Sequence, residues 1–543
     1  MSSGRTALTG VRRGAKNRGV STTALPDAAR DQESIYHQLS TVDSPVFVTR
    51  DERGVALTRD AAAARRAEVL AAAPAVRPES LGDPEFRKAH GVGHAYHAGA
   101  MANGIASARM VAAMARAGFL ASFGAAGVVP AKLDEALAAI RREVPGRPFA
   151  CNLIHSPSEP ALERATVDAC LRHEVRCVEA SAFLDLTPEV VRYRLAGLDR
   201  GADGRVVAGN RVIAKVSRAE VAEKFLRPAP ESLVRALHET GAVTADQARW
   251  AAEVPMADDI TAEADSGGHT DRRPLVVLLP ALIALRDRIS RENPHAAPVR
   301  IGAAGGIGTP AAAAAAFAMG AAYVVTGSVN QSSVEADQSD AVKKLLAAAG
   351  AADTEMAPSS DMFELGVDVQ VLKRGTMFPA RARRLYDTYR SCAGLDAIPA
   401  AERADLERKV FQRSFDEVWD DCVRYFSERD PDQLERAEGN PKRRMALVFR
   451  WYLGRSSGWS MSAAPGRAAD YQIWCGPAMG AFNEWASGTY LAAPGHRQVA
   501  EIAAQIMRGA AFSARVSQLR AAGVRLPARC TTYVPVPLGE ATR

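Results

Sequence analysis

Two glycine-rich turns set the chemistry open to this chain. One is Gly302-Ala303-Ala304-Gly305-Gly306-Ile307-Gly308-Thr309-Pro310; the other, Thr326-Gly327-Ser328, follows Tyr323-Val324-Val325. Glycine lets a backbone adopt φ > 0 and approach an anion closely. Thr309 is placed to cap a helix that Pro310 starts, leaving N–H groups free at its end. Helix N-termini and backbone nests of this kind attract phosphate. Two of them on consecutive βα units match the phosphate site after strands 7 and 8 of a (β/α)8 barrel. A pair of tight turns in an ordinary α/β sheet is the alternative.

A third stretch, Ala264-Asp265-Ser266-Gly267-Gly268-His269-Thr270-Asp271, adds a protonic group. Gly267 and Gly268 bring the backbone against a ligand, and His269 can project over it as an acid or base near neutral pH. Ala100, Met101 and Ala102 are small enough to let a flat ring lie over a barrel mouth, and Asn152 offers an amide that donates and accepts. Lys215 is the one charge in Val212-Ile213-Ala214-Lys215-Val216. Inside a barrel it needs an anion, supplied by a ligand or by Glu179 and Glu263; outside, it is an edge charge. His90, His94 and His97 have loosely metal-like spacing, but no cysteine or carboxylate pattern supports them, so no metal is expected. There is no Walker loop and no GxSxG elbow.

These groups need strands that end near one another. Strand patterns fall at 95–100, 119–123, 149–154, 175–180, 212–216 and 260–264, and the two glycine turns close a seventh and an eighth. Helical patterns fill the intervals, at 111–117, 132–142, after Pro160, and after Ser217 as a cap. Strands separated by helices pair in parallel, and eight units over about 260 residues fit one closed barrel. An open doubly wound sheet would want its glycine fingerprint after the first strand. Ahead of the barrel, 46–57 reads as a hairpin turning at 51–54, followed by an alanine-rich amphipathic segment ending near Pro74. Past Gln370, helical spacing recurs at 401–415, 415–429, 445–452, 479–491 and 497–509, and strand signals stay weak until Tyr533. The expected fold is therefore α/β, a TIM barrel at 86–374 between a tail and small N-terminal element at 1–85 and a helical region at 375–543. The aromatic piece at 471–477 reads as core packing.

The composition of the 543 residues, 47% hydrophobic and 24% charged, is that of a globular protein. A net charge of +6 with interleaved signs does not suggest nucleic-acid binding. No apolar run is long enough to span a bilayer. Seven cysteines, odd in number and never in a CxxC pair, point to a reducing cytoplasm and away from disulfides or structural zinc. Arg5, Arg12, Arg13, Lys16 and Arg18, with no acid before Asp27, form a basic tail expected to be disordered rather than a transit peptide.

Together the loops resemble those of flavin-binding barrels that include nitronate monooxygenases and FabK-type enoyl reductases. The longer words are similar to the PfaD family: Gly99-Ala100-Met101-Ala102-Asn103-Gly104-Ile105, Asn152-Leu153-Ile154-His155-Ser156-Pro157, residues 257–274, Asp361-Met362-Phe363-Glu364-Leu365-Gly366 and Trp474-Cys475-Gly476-Pro477-Ala478-Met479-Gly480. The resemblance runs from about 45 to 510. It implies a trans-acting enoyl reductase of polyketide or polyunsaturated fatty acid synthases. FMN would be reduced by NADPH and would reduce the 2,3 double bond of an enoyl thioester on acyl carrier protein. It also implies that Gly305, Gly306, Thr326, Gly327 and Ser328 hold the FMN phosphate, with Gly267 and Gly268 alongside. Ala100, Met101, Ala102 and Asn152 would line the isoalloxazine, Lys215 would sit at its N1/O2 edge, and His269 would be the catalytic group above the ring. Lys442, Arg443 and Arg444 could meet an acidic carrier protein or be a solvated surface. An oxygen-using nitronate monooxygenase-like enzyme and a non-catalytic synthase scaffold are the alternatives. Acyl chain length, NADPH against NADH, and monomer against homodimer stay open.

Overall fold

A computed structural model of the chain describes residues 28–157, 160–292 and 298–539; the basic tail lies outside them. Eight parallel strands close into a barrel in sequence order: β1 (Tyr96–Ala98), β2 (Leu120–Phe123), β3 (Ala150–Ile154), β4 (Cys177–Ser181), β5 (Arg211–Val216), β6 (Asp259–Glu263), β7 (Arg300–Ala304) and β8 (Val324–Thr326). Local chemistry starts the helices between them. Pro130, Pro188 and Pro310 open three of them at the position where a missing N–H costs nothing. Ser107, Thr187 and Thr309 cap theirs, Thr309 Oγ accepting from Ala312 N at 3.2 Å.

Alternate strand residues fill the lumen in layers. The lower layer is mainly apolar, with Leu120, Ala150, Cys177 and Ile213 packed around Tyr323. The helix Pro84–His90 plugs it from below, and Phe86 stacks on Tyr323 with centroids 4.3 Å apart. A Cβ at position 302 would lie 2.4 Å from the Tyr323 ring, so Gly302 is what admits that ring. His90 Nε2 lies 2.7 Å from Asp259, which also accepts from Arg300 Nε at 2.6 Å and Nη2 at 2.9 Å. The upper layer is polar, with His97, Ser122, Asn152, Glu179 and Thr261 all buried. His97 Nε2 is 2.7 Å from Ser122 Oγ and 3.6 Å from Glu179.

Two further cores flank the barrel. Strands Val46–Asp51, Gly54–Thr58 and Glu68–Ala73 form an antiparallel sheet that packs, with helix Gln32–Ser40, on the long helix Val499–Ala521. From that helix Arg515 donates to the carbonyls of Leu39, Thr41, Val42, Ser44 and Pro74 at 2.5–3.3 Å. Helices Phe415–Arg429 and Pro441–Ser462 enclose the other core, around Phe363, Phe411, Phe449 and Tyr452. Trp459 and Trp474 pack against both this core and that of the barrel. No described helix is long and apolar enough to cross a membrane.

Several local expectations need correction. Only Ala61–Ala64 of the alanine-rich segment is helical; Glu68–Ala73 is a strand because it completes the sheet beside Val46–Asp51. Ser217 does not cap its helix, whose N-cap is Arg218; its hydroxyl donates to Asp271 at 2.7 Å instead. Residues 401–415 break into Ala400–Asp405 and a π-helical turn, Leu406–Phe411. Strands Thr354–Pro358 and Asp368–Leu372 were not foreseen, and the chain around Tyr533 is irregular.

Burial, opposed by Glu179, lowers the His97 pKa to about 4. The folded value lies below the unfolded one, so the stability of the neutral ring is fully present above about pH 6.5 and is lost as pH falls toward 4. Denaturant titrations at pH 7 and pH 4 are expected to show an acid loss that His97→Gln reduces by about 3 kcal/mol. Equal losses in the two proteins would place the acid sensitivity elsewhere.

Candidate active site

A cavity of about 2540 Å³ lies at the C-terminal ends of the strands, between the barrel mouth and the helices of residues 415–462. Every sequence-predicted site residue lines it: Ala100, Met101, Ala102, Asn152, Lys215, Gly267, Gly268, His269, Gly305, Gly306, Thr326, Gly327 and Ser328.

The floor is built from β1 to β5. Ala100 N–H donates to Glu179 Oε2 at 2.9 Å, and a Cβ at position 124 would strike the Met101 carbonyl at 1.8 Å. A buried carboxylate and a glycine therefore shape the loop after β1. Asn103, at φ 58°, reaches across to Ser457 Oγ at 3.1 Å and ties that loop to the roof. Asn152 Nδ2 donates to the Glu179 carbonyl at 3.1 Å and to Ser181 Oγ at 2.8 Å. Lys215 turns inward, its Nζ 3.1 Å from Glu263 and 3.8 Å from Glu179, so the protein itself supplies its counter-charges. Burial works against the ammonium, but Glu263 and Glu179 outweigh it and its pKa is raised. Burial would lift Glu179 in the same way; His97 and Lys215 overcome it and hold the carboxylate below its usual range. Two carboxylates share one lysine, and Glu179 Oε1 has no hydrogen-bond donor among the described residues.

The loop after β6 forms a short strand, Gly268–His269, paired with Asp368–Leu372. Gln370 Nε2 holds this loop through Asp265 Oδ1 at 2.8 Å and the Ser266 carbonyl at 2.7 Å. His269 Nε2 lies 3.2 Å from Asp361 Oδ1, and both line the cavity. Burial lowers the imidazole pKa, but the hydrogen bond and charge of Asp361, with Glu263 behind, outweigh it and raise it above the ordinary value.

Past β7, Gly305 has φ 85° and lies so close to Ala264 that a Cβ would be 2.5 Å from its carbonyl carbon. Gly306 (φ 73°) and Gly327 instead open on free space, where an added Cβ would meet nothing within 4 Å. The Thr326 hydroxyl is committed inside the fold, 2.6 Å from Tyr96 OH and 3.0 Å from Asn330 Nδ2. Ser328 Oγ accepts from Gly476 N at 2.9 Å. Segment 473–478 thus forms a wall of the cavity, which its reading as core packing did not include. Asp361 and Gln331 were also missed as site residues. Asp361 opens one of the words singled out above, whereas a polar residue one helical turn past Ser328 carries no signal of its own.

Other candidates disperse. His90 pairs with Asp259, His94 stacks on Phe119 at 4.4 Å and His97 meets Ser122. Lys442 donates to the carbonyls of Tyr389 and Cys392, Arg443 to Glu364 and Gln433, and Arg444 to Asp416, so their donors serve the fold. The cavity residues fit a planar, phosphate-bearing group. Small side chains make its floor, two open glycines adjoin a capped helix N-terminus, and the buried Gln331 amide on the wall makes no hydrogen bond among the described residues.

Fold and site together define a (β/α)8 barrel with its cavity at the C-terminal mouth, where barrel enzymes carry their active sites. The nitronate monooxygenase family model matches residues 87–380, over half the chain, and the chain belongs to that family, one of flavin-dependent oxidoreductases. Residues 392–471 match the inserted helical domain of acyl-carrier-protein S-malonyltransferase. The chain is 45% identical over 505 residues to a polyunsaturated fatty acid synthase protein of Thraustochytrium sp., covering 91% of this chain and 33% of that one. It is 45% identical over 433 residues to polyketide biosynthesis protein PksE of Bacillus subtilis, covering 80% and 56%. It thus spans only about a third to a little over half of these two relatives. Among solved structures it matches the enoyl reductase domain of MlnA, from the macrolactin biosynthesis cluster of Bacillus amyloliquefaciens. That match has 39% identity and a TM-score of 0.78, and covers 82% of this chain and 99% of that domain. The kinship read from the motifs is borne out.

Removing the Asp361 charge leaves burial less opposed, so Asp361→Asn is expected to lower the His269 pKa. An NMR titration of the imidazole nitrogens would show it, and an unmoved midpoint would mean that the pair does not control this histidine.

Proposed function

We propose that the chain is an FMN-dependent enoyl reductase that uses NAD(P)H to saturate the 2,3 double bond of enoyl thioesters carried by acyl carrier protein. The observation that carries this reading is the match to a whole enoyl reductase domain, with the flavin-fitting cavity at its mouth. Two polyketide and fatty acid synthase proteins among its relatives, and a roof matching the inserted domain of a carrier-protein transferase, support a carrier-bound substrate. We assign the barrel to 86–374, the tail and small N-terminal element to 1–85 and the helical region to 375–543.

Bound flavin would relay hydride from the nicotinamide to an activated alkene. The protein's part is to bind, orient and move a proton. Gly305, Gly306, Gly327 and Ser328 offer backbone and hydroxyl donors to a phosphate. Ala100, Met101, Ala102 and Asn152 give a thin floor for the ring, closed on one side by Gly267 and Gly268. Lys215 brings a fixed positive charge to its edge. His269, whose imidazolium form Asp361 favours, can hydrogen-bond the thioester carbonyl or deliver the α-proton.

The test is anaerobic. Purified protein should show a flavin spectrum that bleaches with NADPH and returns when crotonyl-acyl carrier protein is added. Recovery with oxygen alone would favour monooxygenase chemistry of the kind the family model describes, and failure to bind FMN would leave a scaffold. His269→Ala is expected to slow the thioester half-reaction by about 100-fold or more while leaving bleaching by NADPH intact.

A further inference from the structure

Behind the turn after β8 sit a buried amide nitrogen without a hydrogen-bond partner and a buried cation without a counter-ion among the described residues. Gln331 closes the one-turn helix Ser328–Gln331, is 2% exposed and lines the cavity, yet its amide makes no hydrogen bond among the described residues. A buried amide left so costs free energy unless a ligand completes it. The second group is Arg497, 1% exposed. It donates to the Leu491 carbonyl at 2.8 Å, Ser332 Oγ at 3.1 Å, Asn483 Oδ1 at 3.0 Å and the Ala492 carbonyl at 3.2 Å, and lies over the Phe482 ring at 5.0 Å. All are neutral; no carboxylate pairs with it among the described residues, and burial alone lowers its pKa to about 10. A buried cation without a counter-ion favours an anion nearby, and Ser332, which it holds, adjoins Gln331 in the chain.

The remaining geometry agrees. Because Ser328 Oγ accepts from Gly476 N–H, its own proton is free to donate outward. Gly306 and Gly327 leave the space in front open, and the nine-residue helix Pro310–Ala318 presents its N-terminus from β7. We propose that Gln331 is a phosphate ligand in this pocket, and that Arg497 behind it supplies the buried charge that makes the pocket selective for a phosphate monoester. The proposal rests on the flavin reading, in which that monoester is the one that distinguishes FMN from riboflavin.

The experiment compares the binding of these two molecules to flavin-stripped full-length protein by fluorescence quenching. Wild type should prefer FMN strongly. Gln331→Leu should cut that preference about tenfold, the loss of one hydrogen bond to a charged group, with riboflavin affinity unchanged as the sign that the site is folded. Gln331→Glu should cut it further by adding like charge, and Arg497→Met should cut it without touching the ligand. A Gln331→Leu protein with the wild-type preference overturns the proposal. So does a wild type that binds riboflavin as tightly as FMN, although the flavin reading would then survive. A wild type that binds neither flavin overturns both.

Discussion

Backbone meets backbone at the barrel mouth with no side chain between, and the placement of the whole roof depends on that approach. A Cβ on Gly267 would lie 2.9–3.0 Å from the backbone of Cys475, one on Gly476 would lie 2.8 Å from Gly267 N, and one on Gly308 would lie 2.3 Å from the Ala478 carbonyl. Three glycines from distant parts of the sequence therefore let segment 473–478 lie against the loops after β6 and β7. The same segment hydrogen-bonds strand Asp368–Leu372, through Leu372 N to the Ile473 carbonyl at 2.8 Å and Cys475 N to the Gln370 carbonyl at 3.3 Å. That strand in turn carries the loop of His269. The histidine, the phosphate turns and the roof are thus one mechanical unit.

Beneath that unit the lumen divides its labour by height. The lower layer is mainly apolar, plugged by a stacked pair of rings, and its buried carboxylate, Asp259, is closed off by His90 and Arg300. The upper layer holds the charge that faces the cavity. Glu179 ties its own strand to three others, accepting from the loop after β1, lying beside His97, facing Lys215, and offering its carbonyl to Asn152. Such a hub keeps the lysine charged and in place without a ligand, so the cation is ready before anything enters.

The barrel was legible because its signals are local. Apolar runs of four to six residues, prolines at helix starts and capping hydroxyls each say where an element begins. The candidate site was legible where glycine or a lone charge interrupts such a run, as at Gly305, Gly327 and Lys215. What escaped is what depends on distant partners. Glu68–Ala73 has the composition of a helix and becomes a strand because an edge was waiting for it. Gln331 looks ordinary in sequence, and Asp361 and Gly476, though they lie in words that carry the resemblance, show what they do only once folding sets them beside His269 and Gly267. Lys442, Arg443 and Arg444 look like a free basic patch until Tyr389, Glu364 and Asp416 arrive.

Arg515 has a consequence for how the chain is made. It gathers carbonyls from the end of helix Gln32–Ser40, from the turn leading into the N-terminal sheet and from Pro74 just past it, and the contact with Leu39 spans 476 residues of sequence. During synthesis the first sheet therefore emerges long before the helix that covers it. The apolar residues of that sheet and of helix Gln32–Ser40 beside it, including Ile35, Leu39, Val46, Val48 and Leu57, wait uncovered while the barrel forms. A chain that has not yet made that helix exposes an apolar, strand-bearing surface, the kind of surface through which partly folded chains associate.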